Sequence, residues 1–175
     1  EMDSKVKKYL VPLGVKAHLQ RWGIADNKVV EMDWYENDLE GAVRFTFAPA
    51  RHFSGRGLNN RFSTLWGSWI VQSKSSSVYF SGDSGYSNEF KKIGEQFGPF
   101  DIAFMEDGAY NTAWDQIHMF PEESVQASID LNAKVYFPIH WGKFDLSTHA
   151  WTEPVLRAHQ KAVQKNVQLA TPVIG

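Results

Sequence analysis

The chain has 175 residues, a formal net charge of −2 at pH 7 and no cysteine. That length can bury a substantial core as a single domain, and the charge, with no basic run longer than Lys7-Lys8 or Lys91-Lys92, argues against a nucleic-acid partner. Disulfides and thiolate ligands are excluded, so any metal site must be built from His, Asp, Glu and water.

Residues 5–35 read as a β-α-β unit. The strand-like Lys8-Tyr9-Leu10-Val11-Pro12-Leu13 ends at Gly14. Val15 to Trp22 has helical spacing, stopped by Gly23, and Val29 to Trp34 alternates. Residues 36–42 read as a polar turn around Asn37, Asp38 and Gly41. Val43 to Ala50 is the next strand. The stretch from His52 to Asn60 is too polar for core and too short for a linker, which suggests an active-site loop. Leu65 to Val71 and Val78 to Ser81 form a hairpin across a Ser/Lys turn. Glu89 to Phe97 is a short helix closed by Gly98-Pro99, and Asp101 to Met105 is a strand that leads into the loop Glu106 to Tyr110. Pro121-Glu122-Glu123 opens a helix that runs to about Leu131, because proline and acids suit a first turn. Lys134 to Ile139 is a strand, Glu153 to Asn166 an amphipathic helix, and Val167 to Leu169 a last short strand. Strands alternating with helices argue an α/β fold, or a mixed α+β sheet.

Three of these apolar runs end at a metal-binding residue type. Val43 to Ala50 is followed by Arg51-His52, Val78 to Ser81 by Gly82-Asp83, and Lys134 to Ile139 by His140. In open α/β sheets the C-terminal ends of the strands form the ligand-binding rim. Imidazole and carboxylate are the donors that zinc and similar divalent ions prefer. Singly, Asp83 reads sooner as a turn aspartate than as a ligand, and each histidine sooner as a packed core or turn residue. The repeated placement favours a metal edge.

The stretches Pro49-Ala50-Arg51-His52-Phe53-Ser54-Gly55-Arg56-Gly57-Leu58, Thr64-Leu65-Trp66-Gly67-Ser68-Trp69 and Phe80-Ser81-Gly82-Asp83-Ser84-Gly85-Tyr86 occur in that order. They are followed by Gly98-Pro99-Phe100-Asp101, Gly108-Ala109-Tyr110, His118-Met119-Phe120-Pro121-Glu122-Glu123 and Pro138-Ile139-His140-Trp141-Gly142-Lys143-Phe144. In this the chain resembles the metallo-β-lactamase-fold hydrolases, in the branch similar to N-acyl-phosphatidylethanolamine-hydrolysing phospholipase D. The resemblance implies the C-terminal portion of an αββα sandwich, with residues 1–175 as one domain. It implies a phosphodiesterase acting on phospholipids, with two metal ions, usually zinc, at one sheet edge. His52 would complete the shell of the first ion, Asp83 would bridge both and His140 would bind the second. A water between the ions would be the nucleophile.

The family's first metal motif, His-x-His-x-Asp-His, does not occur here, since no two histidines are separated by one residue. His52 with Asp83, and Asp83 with His140, give each ion two protein ligands where catalytic zinc takes three. Weak or absent zinc binding is therefore expected of this chain alone. His118 is a candidate for catalysis, for substrate or outer-sphere contacts, or for loop bonding only. Arg56 and Arg61 are candidates for a substrate phosphate or for surface ion pairs. Tyr86 and Trp141 are candidate substrate contacts. Trp66, Trp69 and Trp141 are either groove or core. Phe120, where a capping Asn or Thr is usual, predicts a weakly capped helix. A lactonase of the same fold and a metal-free binding module are the alternative functions. No apolar run reaches membrane-spanning length and no secretory pattern opens the sequence, which suits a cytoplasmic protein, membrane-associated at full length. An uncovered apolar face would make homo-oligomers.

Overall fold

The computed structural model describes residues 3–55, 57, 59–143 and 146–172. Nine strands and four α-helices are found among them: β1 (Tyr9–Pro12), α1 (Lys16–Arg21), β2 (Val29–Met32), β3 (Asn37–Glu40), β4 (Val43–Ala48), β5 (Ser68–Gln72), β6 (Ser77–Phe80), α2 (Glu89–Phe97), β7 (Phe100–Glu106), α3 (Pro121–Asp130), β8 (Ala133–Ile139), α4 (Glu153–Lys165) and β9 (Gln168–Leu169). β1 and β2 pair in parallel as a small separate sheet. The main sheet runs β3-β4-β5-β6-β7-β8-β9.

The direction of these strands decides where chemistry can gather. β4 is antiparallel to β5 and β5 to β6, so β4 and β6 point the same way. β7 and β8 continue in parallel from β6. The C-terminal ends of β4, β6, β7 and β8 therefore share one edge, and the loops that leave them meet there.

The helices cover one face of the main sheet. Ile70, Tyr79, Ala103, Met105 and Tyr136 alternate onto that face and are fully buried with Phe90, Ile93, Val125 and Leu131 from the helices. Burying a side chain of this size stabilises the fold by about 1.5–3 kcal/mol. α2 forms because Phe90 and Ile93 recur at helical spacing on its buried side. Gly94 lies between α2 and α3 so closely that a Cβ there would collide with the Asp130 carbonyl. Any larger residue would push the helices apart.

The opposite face carries Phe45, Trp69, Val71, Val78, Phe80 and Phe104. Leu10 of β1 also reaches it, and together they line an open hollow of about 550 Å³. Trp69 thus belongs to this face rather than to the core. Trp66 donates its indole N–H to the Ala50 carbonyl (3.0 Å) and packs edge-on against Trp34.

One predicted turn is a strand. Residues 37–40 pair with β4, Asn37 opposite Thr46 and Glu40 opposite Val43, and Gly41 turns the hairpin with φ +60°. Their polarity hid them because β3 is an edge strand, where polar and charged side chains discourage further pairing. The start of α3 is less bare than its sequence suggests, since the Glu123 carboxylate accepts the Phe120 amide (2.9 Å).

Candidate metal centre

Each loop at the shared edge is tied to the next. After β4, the Arg51 amide donates to the Ser84 hydroxyl (3.0 Å), and the Gly85 amide donates to the Arg51 carbonyl (2.8 Å). This brings His52 beside Asp83. The Met119 amide donates to the Ser84 carbonyl (3.2 Å), which carries His118 in from the loop before α3. β8 ends at Ile139, and His140 follows in the left-handed region at φ +64°. Gly108 lets the loop after β7 press against the His140 carbonyl, where a Cβ would collide.

His52, Asp83, His118 and His140 thus line one cavity of about 310 Å³, walled by Phe53, Ala109 and Trp114. His140 Nε2 lies 3.6 Å from Asp83 Oδ1. The rings of His118 and His140 stack with centroids 5.4 Å apart, and His52 meets His118 edge-on at 5.3 Å. Burial lowers the imidazoles of His52 and His118 below the ordinary histidine value, so both offer neutral lone pairs near neutral pH.

Sequence reading passed over Glu106. It is fully buried at the end of β7, and its Oε1 is hydrogen-bonded to His118 Nδ1 and lies 3.7 Å from His140 Nδ1. Its Oε2 accepts the Ser84 amide (2.6 Å). Burial pushes this carboxyl well up, the Ser84 amide pulls it back, and the charge of Asp83 adds to the rise. The strand-end rule that marks His52, Asp83 and His140 points equally to Glu106, the last residue of β7. Its neighbour Asp107 is also buried, on the helix side, and neither carboxylate oxygen finds a hydrogen-bond partner among the described residues.

The donor set fits a divalent ion. Bonds of zinc to N and O near 2.1 Å place tetrahedral ligands about 3.4 Å apart, close to the Asp83–His140 separation. Ligand atoms of Glu106, His118 and His140 also fall within 4.8 Å of one another.

Other predicted residues are placed differently. Tyr86 donates its hydroxyl to Asp130 Oδ2 (2.6 Å) and stacks its ring on Phe90, against the helices. Arg61 lies over the rings of Phe53 at 4.9 Å and Phe62 at 5.1 Å. Arg56 falls outside the described residues. Trp141 donates to the Pro138 carbonyl (3.0 Å) and walls a second cleft of about 260 Å³, which shares Ala109 and His140 with the first. His149 stacks on Tyr110 at 4.3 Å, while His18 and His159 are exposed.

The family described as "Beta-lactamase superfamily domain" matches residues 1–141. The chain belongs to the β-lactamase superfamily. Within it, the chain is 45% identical over 170 residues to an uncharacterised protein of Mycobacterium tuberculosis, covering 95% of this chain and 45% of that protein. It is 36% identical over 151 residues to the N-acyl-phosphatidylethanolamine-hydrolyzing phospholipase D 1 of Caenorhabditis elegans, covering 81% and 42%. It thus spans less than half the length of these curated relatives. A metallo hydrolase from the archaeon Ignicoccus hospitalis shares the fold, with a TM-score of 0.70 at 18% identity over 96% of this chain and 66% of that one.

Proposed function

We propose that this chain carries the metal-binding edge of a zinc-dependent phosphodiesterase acting on N-acyl-phosphatidylethanolamine-type phospholipids, as the C-terminal part of one catalytic domain. The observation behind this reading is the convergence of His52, Asp83, His118 and His140 on one cavity at the rim of the sheet. The likeness to the nematode phospholipase supplies the substrate class.

In this reading Asp83, the most open of the donors, would help to hold a divalent ion together with His52 and with His140. A divalent ion supplies a lowered pKa for bound water and neutralises charge that develops on phosphate oxygens. His118, neutral and with Nδ1 engaged by Glu106, would take a proton from the attacking water on Nε2 and return it to the leaving oxygen. The cleft beside the cavity, with Trp141, Trp151, Leu146 and Lys143, suits an acyl chain lying next to a phosphate. Arg61, over the Phe53 ring that lines the cavity, is the cation this reading offers to the phosphate. We place the protein in the cytoplasm.

Zinc titration by calorimetry is expected to show weak binding to this chain alone, because each ion meets two protein ligands. Two tight sites would overturn that ligand count. A protein containing this chain is then offered an N-acyl-phosphatidylethanolamine and a lactone. Hydrolysis of the phosphodiester, abolished by Asp83→Asn, is the expected result. Lactone cleavage alone would move the assignment to the lactonases.

A further inference from the structure

We infer that Glu106 is a positioning residue: it aims His118 and His140 into the cavity and holds no ion itself. The inference rests on the metal-centre reading above and adds a part to it.

Glu106 is fixed from every side. Its amide donates to Ser81 Oγ (2.9 Å), and its carbonyl accepts Ser124 Oγ (2.5 Å). Its Oε2 accepts the amide of Ser84, the residue after Asp83. That leaves Oε1, which faces the Nδ1 atoms of both His118 and His140. In its ionised form, which the Ser84 amide favours, this carboxylate would accept from Nδ1 and leave Nε2 as a bare lone pair, whereas a protonated Glu106 would donate to Nδ1 and give the opposite tautomer. His140 Nε2 is the atom directed to Asp83, at 3.6 Å. His52 reaches the Nδ1–H tautomer by another route, since its Nδ1 donates to the Phe53 carbonyl (2.8 Å). Two imidazoles, those of His52 and His118, are therefore held through Nδ1 by hydrogen bonds, and the Nδ1 of His140 lies 3.7 Å from the same carboxylate, within reach of a small ring rotation.

The same contacts argue against Glu106 as a ligand. Oε1 is engaged by His118 Nδ1, a contact that an ion bound to Glu106 would have to replace. Oε2 is engaged by Ser84, and the side chain is fully buried, whereas that of Asp83 is 45% exposed. An ion arriving from solvent meets Asp83 first.

The test is the tautomer of each histidine in the metal-free, ¹⁵N-labelled chain, read from long-range ¹H–¹⁵N correlations. In the wild type, His52, His118 and His140 are expected to carry the proton on Nδ1. Glu106→Leu removes the acceptor, so His118 and His140 should lose that fixed tautomer while His52, held by Phe53, keeps it. General damage to the fold would shift all three. Should Glu106→Leu fail to fold, Glu106→Gln decides. A glutamine can satisfy the Ser84 amide or the imidazoles but not both, so at least one of His118 and His140 should leave the Nδ1–H form. Zinc binding should weaken by about 10–100-fold in a variant that folds. Bare Nδ1 atoms in the wild type, unchanged tautomers in the variants, or zinc coordinated through Nδ1 and Glu106 would each overturn the inference. Failure of a protein containing this chain to cleave a phosphodiester would overturn the proposed function instead, since the tautomers are read without metal.

Discussion

The two faces of the main sheet are made of similar residues in dissimilar surroundings. On the helix side, Ile70, Tyr79, Ala103, Met105 and Tyr136 are wholly withdrawn from water beneath α2, α3 and α4. On the other side, Trp69, Val71, Val78 and Phe104 line an open hollow, and Phe80 is 44% exposed. Alternation along each strand dictates both faces equally, but only one is covered by the elements described. Apolar surface of that kind marks an interface. The uncovered face is where stability is cheap to perturb and association is not.

Substitutions separate the faces. Met105→Ala, under the helices, should cost about 2–5 kcal/mol in denaturant unfolding, since little around a fully buried site can collapse into the gap. A loss below about 1 kcal/mol would mean that the covered face is looser than its burial implies. Asp107 is the exception on that side, because burial, and then the charges of Glu106 and Glu122, push its carboxyl well above its ordinary value of 3.8. A raised folded value means that the wild type loses stability as pH climbs from about 4 towards that value. Asp107→Asn should therefore be more stable at pH 7, by about 1–2 kcal/mol, and equal to the wild type below about pH 4. Parallel pH–stability curves for the two proteins would refute this.

Arg157 marks the border of the covered side. It pairs with Glu122 of α3 (2.7 Å) and Glu153 of α4 (3.1 Å), and lies over the ring of Tyr110 at 5.0 Å. The groups are partly exposed, so Arg157→Ala should cost about 1 kcal/mol. Burial raises the Glu122 carboxyl, but hydrogen bonds from Arg157 outweigh it and leave the value lowered. The benefit of the pair should hold above the ordinary value of 4.5 and fade as pH falls below it, as thermal melts would show. Phe80→Ser, on the open face, should change unfolding by no more than about 0.5 kcal/mol. Its effect should appear in light scattering instead, as less self-association than the wild type at high concentration. A wild type that stays monomeric would leave nothing for that substitution to relieve.

Most of the fold is visible in the sequence because its apolar residues repeat at strand or helix spacing. Phe90 and Ile93 mark α2, and the run from Asp101 to Met105 marks β7. β3 was invisible for the opposite reason: as a polar edge strand it has almost nothing to bury. The strand-end pattern singled out His52, Asp83 and His140 because each stands alone after an apolar run. Glu106 escaped because it is followed at once by Asp107 and Gly108, which read as a loop. Which way Tyr86 turns depends on Asp130, 44 positions later, and no local pattern carries that.

His140 holds a backbone conformation that glycine adopts freely and that other residues occupy at a cost of about 1–2 kcal/mol. His140→Gly would relieve this and could raise the melting point while erasing a donor. Selection for robustness alone would drift towards that glycine. A heat-hardened descendant of this chain that had lost its imidazole there would look improved by every physical assay except the one that matters to its chemistry.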